Sequence, residues 1–166
     1  MTALFGGLLL LLASILQVTL VGRFTLLAGT ADLLMLVMLT YILQEDVRAD
    51  WRWGIAAGLM VDLSSALPIW VSLAAYIGAA ALAHLLETRV WKIPLLTLFA
   101  ATLGSTLLIQ GITMFYLWLN ASPINFGEAF NLVTLPSMLL NLLLVLPVSA
   151  VVSELSKLAL PSEELI

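Results

Sequence analysis

Trp51-Arg52-Trp53-Gly54-Ile55-Ala56-Ala57-Gly58-Leu59-Met60-Val61-Asp62-Leu63-Ser64-Ser65-Ala66-Leu67-Pro68 decides how this chain is built. A helix that crosses a bilayer takes ~20 mainly apolar residues, with a range of roughly 17–25. The stretch from about Trp51 to Leu67 only just reaches that length. Its strictly apolar part starts at Gly54 and it contains Asp62. Pro68 closes it with a tight turn, because proline restricts the residue before it and cannot continue a helix. Gly54 and Gly58 are spaced to let another helix approach closely. Counted as a span, this stretch makes six in the chain; paired with the next as a re-entrant unit, it makes five. Six is favoured, because residues 69–86 have full spanning length by themselves.

Five further apolar stretches flank it. They run from about Ala3 to Gly22, about Thr25 to Gln44, Ile69 to Leu86, Ile93 to Leu119, and about Leu132 to Val152. The second contains Asp32, and the last carries Pro136 in its first turns and Pro147 in its last third. The 93–119 stretch is long enough to tilt or to project from the bilayer. The reading is an all-α polytopic membrane protein, a single transmembrane domain over residues 1–166. The start Met1-Thr2-Ala3 lacks a basic region, so the first stretch is expected to stay as a helix.

Composition agrees. Of 166 residues, 63% are apolar and 10% charged, and the mean hydropathy is +1.16. Soluble domains carry ~25% charged residues, so lipid is the solvent that suits this chain. Disorder is excluded by the abundance of Leu, Ile, Val and Phe. The absence of cysteine excludes disulfides and thiolate chemistry. A net charge of −4 offers no basic field for nucleic acid.

The basic residues set the expected orientation. With six spans, Arg48, Arg52, Arg89, Lys92 and Lys157 share one side, and Arg23 alone lies on the other. Both termini are therefore expected in the cytoplasm. Trp51, Trp53 and Trp91 suit the cytoplasmic interface, and Trp70, Tyr116 and Trp118 the opposite one. In the outer loop 120–131, Ile124, Phe126 and Phe130 alternate with polar residues. Phe126 and Phe130 fall one turn apart if that segment is helical.

Charges inside spans are the first functional candidates, since each costs at least ~2.5 kcal/mol near a helix centre. Asp32 and Asp62 both fall toward the outer half, where they could line one polar patch. Structural use is favoured for both, because no intramembrane basic partner is present for either. His84 is the only histidine, so no histidine cluster or Ser-His-Asp triad can form. It reads as a wet helix-end residue. Gln17, Gln110, Ser137 and Asn141 are candidates for interhelical hydrogen bonds. Gly54-x3-Gly58 continues into Gly78-Ala79-Ala80-Ala81 on the fourth stretch, which suggests a tightly packed hairpin of the third and fourth helices. Nothing in the chain reads as an enzyme or calls for a cofactor or metal.

The sequence resembles the MreD family of bacterial rod-shape-determining membrane proteins. Size and hydropathy match over nearly the whole chain. The sharpest part is Trp53-Gly54-Ile55-Ala56-Ala57-Gly58-Leu59-Met60-Val61-Asp62-Leu63-Ser64-Ser65, similar to the family's Gly-x3-Gly-x3-Asp-Leu followed by small residues. Asp32-Leu33-Leu34, Ala75-Tyr76 and the Asn141…Pro147 pair match more weakly. Where the family usually has Leu-Gly after the turn, this chain has Pro68-Ile69-Trp70.

The resemblance implies a non-enzymatic scaffold of the cell-elongation machinery in the bacterial cytoplasmic membrane. Such a scaffold binds MreC and, through it, meets MreB, RodA and a class B penicillin-binding transpeptidase. It also implies a fold similar to the substrate-binding S-components of energy-coupling-factor vitamin transporters, which makes an S-component the alternative reading. S-components dock through small residues, often Ala-x3-Ala, in the first helix, a spacing that Leu8-Leu9-Leu10-Leu11-Leu12-Ala13 lacks. A third class is a small proton-coupled transporter or channel using Asp32 and Asp62.

Overall fold

The computed structural model describes residues 2–44, 51–89, 94–120 and 125–159. The chain is mostly helical. Four helical runs are long and apolar enough to cross a membrane: Leu4–Arg23, Ile69–Thr88, Pro94–Leu119 and Phe126–Leu158. It is a membrane protein. In chain order the helices are α1 (Thr2–Thr19), α2 (Leu33–Ile42), α3 (Trp51–Asp62), α4 (Ile69–Arg89), α5 (Pro94–Leu119), α6 (Phe126–Ala129) and α7 (Leu135–Ala159). A two-stranded antiparallel hairpin, β1 (Thr25–Leu26) and β2 (Gly29–Thr30), separates α1 from α2. Arg48, Trp91, Lys92, Ile93 and Ile124 lie outside the described residues.

The six expected full-length spans become four long helices and two short ones. The 25–44 stretch is helical only from Leu33 to Ile42. At ~1.5 Å per residue α2 covers ~15 Å, about half of a ~30 Å hydrocarbon core. Its start is fixed by Asp32, whose side chain accepts the Met35 N–H at 2.9 Å as an N-cap. The 51–67 stretch is helical only to Asp62. Ser64 and Ser65 then bond locally: Ser64 Oγ donates to the Val61 carbonyl at 3.1 Å, and Ser65 Oγ accepts the Leu67 N–H at 3.1 Å. Such side-chain bonds compete with the helix for backbone groups. Pro68 therefore does not end α3. It precedes α4 and offers its carbonyl to the Val71 N–H at 2.9 Å.

The last stretch is longer than residues 132–152. Helix runs from Phe126 through a π-helical segment, Phe130–Thr134, into α7. Pro136 accounts for the irregularity. It has no N–H, so the Leu132 carbonyl four residues back receives no helical bond from it. The Leu135 N–H reaches back five residues to the Phe130 carbonyl. The Leu132 carbonyl accepts the Ala28 N–H of the hairpin turn at 3.0 Å. One missing donor thus creates the dock for the hairpin.

Gly29 makes that dock close. A Cβ there would sit 2.6 Å from the Val133 carbonyl and 2.7 Å from the Ser137 nitrogen. Non-helical backbone can exist at membrane depth only where protein satisfies it, and α7 does so here.

α2 is the axis of the fold. Every residue from Leu34 to Ile42 is buried, and α1, α3, α4, α5 and α7 all pack around it. A short helix that is apolar on every side suits an enclosed position. α3 lies on α4 through its glycines: a Cβ at Gly54 would fall 2.7 Å from the Tyr76 carbonyl, and one at Gly58 3.1 Å from Leu73 Cα. The expected tight hairpin of these helices is present. Gly78 does not extend its seam, because it faces Leu108 of α5, 3.0 Å from where a Cβ would stand.

Aromatic pairs mark two levels of the bundle. Tyr41 meets Trp53 edge-on at 4.9 Å and Phe5 at 6.2 Å, where the start of α1, the end of α2 and the start of α3 come together. Trp70 meets Tyr116 edge-on at 5.2 Å, joining the start of α4 to the end of α5.

Candidate functional site

The polar residues of this apolar chain converge where α1 ends and α2 begins. Gln17, near the end of α1, uses both ends of its amide on the α2 entry. Its Nε2 donates to the Ala31 carbonyl at 2.9 Å, and its Oε1 accepts the Leu33 N–H at 2.7 Å. Asn141 of α7 also uses both ends of its amide, one of them on the α2 entry. Its Oδ1 accepts the Asp32 N–H at 2.8 Å, and its Nδ2 donates to Thr106 Oγ1 of α5 at 2.9 Å. Thr106 passes its own proton to the Thr102 carbonyl at 2.8 Å. Ser137 Oγ accepts the Thr30 N–H at 3.1 Å. The hairpin and the α2 entry are thereby tied to α1, α5 and α7 through neutral groups.

Asp32 stands at the centre. One carboxylate oxygen caps Met35, and the other accepts the Tyr76 hydroxyl of α4 at 2.5 Å. Tyr76 is 3% exposed. The partner of this in-span charge is a phenol, not a base. That is how a carboxylate is held among these helices without an ion pair: charge-assisted bonds from neutral donors replace its water.

A partly open cavity of about 220 Å³ adjoins this network. Gln17, Thr30, Asp32, Tyr76, Thr106 and Asn141 line it from the inside, and Ser64, Ser65 and Gln110 from the α3–α4 turn and α5. Asp62 does not line it. Among the described residues its carboxylate makes no hydrogen bond, and of the two aspartates expected to share one patch only Asp32 lines the cavity. Asp62 ends α3 with its backbone carbonyl accepting the Ser65 N–H at 3.3 Å.

The remaining candidates divide clearly. Asn141, 1% exposed, makes the interhelical bond expected of it, to Thr106, whereas Ser137 bonds the Thr30 N–H of the hairpin and no other helix. Gln110 faces the cavity and makes no hydrogen bond among the described residues. Gly54 and Gly58 serve packing, and Pro68 starts α4. His84 is an exposed residue 4.0 Å from Glu87 on its own helix. Phe126 and Phe130 both lie in the helical run that leads into α7, and both are exposed.

Pro147 sits inside α7 and lines a second cavity, an apolar groove of about 320 Å³ between α1 and α7. Leu33 and Val37 of α2 are part of its lining. Among the described residues no group of three or more His, Cys, Asp or Glu side chains gathers as a metal would require.

Tyr76 and Thr106 are the members that sequence reading missed as site residues. A tyrosine two turns inside an apolar helix was a signal for the first. Thr106 carried none, since threonines in membrane helices usually bond their own backbone, as Thr106 also does. No protein-family model, curated protein or solved structure matches the chain.

Proposed function

We propose that this protein is a non-enzymatic membrane scaffold of the bacterial cell-elongation complex, similar to MreD, which binds MreC and through it meets MreB, RodA and a class B penicillin-binding transpeptidase. The observation that carries the reading is the employment of the residues behind the resemblance. Gly54 and Gly58 are filled by the α4 backbone, Asp32 caps α2, and Asn141 bridges α2 to α5. All of them hold the bundle together.

The surface left for a partner is apolar. Of the Leu-rich faces that could receive a membrane helix, that of α2 is enclosed, which leaves α1 and α7 and the groove between them. Leu12 of α1 and Val151 of α7, both in the groove lining, are 46% and 58% exposed. MreC, with one transmembrane helix, fits that seam. The bias of basic residues supports insertion in the cytoplasmic membrane with both termini inside.

The polar cavity favours a second reading, a substrate-binding S-component, because scaffolding alone does not require it. A flux assay separates both from a proton-coupled transporter. Purified protein in liposomes with a pH gradient passes no protons under the scaffold reading, and Asp62→Asn behaves as wild type. Proton flux that Asp62→Asn abolishes contradicts the proposal.

A further inference from the structure

Asp32 is the one charged side chain in the wall of the 220 Å³ cavity; the other polar lining groups are amides, hydroxyls and a phenol. Two neutral donors, the Met35 N–H and the Tyr76 hydroxyl, occupy one position on each carboxylate oxygen. A carboxylate has about four acceptor positions, so this cavity-lining group keeps acceptor capacity beyond those two bonds. Gln110 faces the same space with its amide unbonded among the described residues. Ser65 lines it as well, with its oxygen already accepting the Leu67 N–H. The wall thus holds one carboxyl group with no basic side chain beside it in the lining, together with the unbonded amide of Gln110.

The volume sets the size of the occupant. It exceeds the ~10–15 Å³ that one water needs and falls below the roughly 300–1,000 Å³ of pockets for drug-sized ligands. We infer that this cavity is a binding site for a small primary ammonium group, which pairs with the Asp32 carboxylate and donates one of its three N–H groups to the Gln110 side-chain oxygen. An ammonium matches the wall because it is all donor and carries one positive charge. The same group is presented by a free amine and by the headgroup of an ethanolamine phospholipid. This assignment is independent of which protein occupies the α1–α7 groove.

The test uses the full chain purified in mild detergent, with thermal unfolding followed during titration with ethanolamine. Sodium chloride at equal ionic strength and ethylene glycol, the probe's uncharged analogue, are the controls. A saturable rise in Tm of several degrees with ethanolamine alone is expected. Asp32→Asn, which keeps one oxygen to cap Met35 and turns an amide N–H toward the Tyr76 oxygen, abolishes the rise. Gln110→Ala, which removes a side chain that holds nothing in the fold, weakens it and serves if Asp32→Asn does not fold.

Native mass spectrometry from nanodiscs of ethanolamine or choline phospholipid then identifies the source. Wild-type protein that keeps ethanolamine lipid, and loses it on Gln110→Ala or Asp32→Asn, assigns a lipid headgroup. A response to free ethanolamine without lipid retention assigns a soluble amine. A shift no larger than with sodium chloride or ethylene glycol, or one that persists undiminished in both variants, overturns the inference.

Discussion

The side chain of Asn141 accepts the backbone N–H of Asp32 at 2.8 Å from a position on α7 that is 1% exposed. Its other end donates to Thr106, so one amide holds α2, α5 and α7 together. Asn141→Leu keeps the branched shape of the side chain and strands both the Asp32 N–H and the Thr106 oxygen. Leaving such groups unsatisfied costs about 1–3 kcal/mol, and each kcal/mol moves Tm by about 2–4 °C in a chain of this size. Thermal unfolding in detergent should show that drop. An unchanged Tm would show that the bridge contributes nothing.

Glycine substitutions should sort by what lies opposite. Gly54→Ala drives a methyl into the Tyr76 carbonyl and the Ile77 backbone, which cannot yield, and should cost about 1–3 kcal/mol. Gly58→Ala, with its nearest atom at 3.1 Å, should cost less. Gly7→Ala and Gly111→Ala meet open space and should be neutral or mildly stabilising through helix propensity. Melting temperatures of the four variants check the order; equal effects would refute the tight α3–α4 seam.

Much of this was legible in the sequence, and what was not has a physical cause. Hydropathy identified the membrane, the long helices and the glycine seam, because those depend on composition and on spacing along one helix. It misjudged residues 25–32, because Leu26, Leu27 and Ala28 are apolar whether the backbone is helical or not. The bonds that dock a hairpin there come from the π-helical segment and α7, more than a hundred residues away, through Leu132 and Ser137. Asp32 was singled out by its charge, but its partner Tyr76 lies 44 residues on, beyond the reach of any local pattern.

Pro136→Ala tests that distant dependence. The new N–H can bond the Leu132 carbonyl within the helix and so competes with the Ala28 N–H. Hydrogen exchange should report faster exchange at Ala28 and Thr30, while α4 and α5 keep their protection. Leu27 sits at φ 55° in the hairpin turn, a conformation that favours glycine. Leu27→Gly should therefore leave Ala28 protected, separating loss of the dock from a change in the turn.

The α1–α7 groove yields a surface prediction. Val151→Trp, with a bulky ring at its lining, should lower the recovery of MreC several-fold at unchanged Tm. Leu107→Trp, on an exposed position of α5 outside the groove, should leave recovery at the wild-type level. Equal recovery with both variants would move the partner elsewhere.

The scaffold assignment is tested most directly by purifying the full chain from its native membranes in mild detergent and identifying what comes with it by quantitative mass spectrometry. The account predicts MreC in near-stoichiometric amount, accompanied by cell-wall synthases. Recovery of a pair of ATPases in place of MreC would contradict it and assign the chain to vitamin uptake.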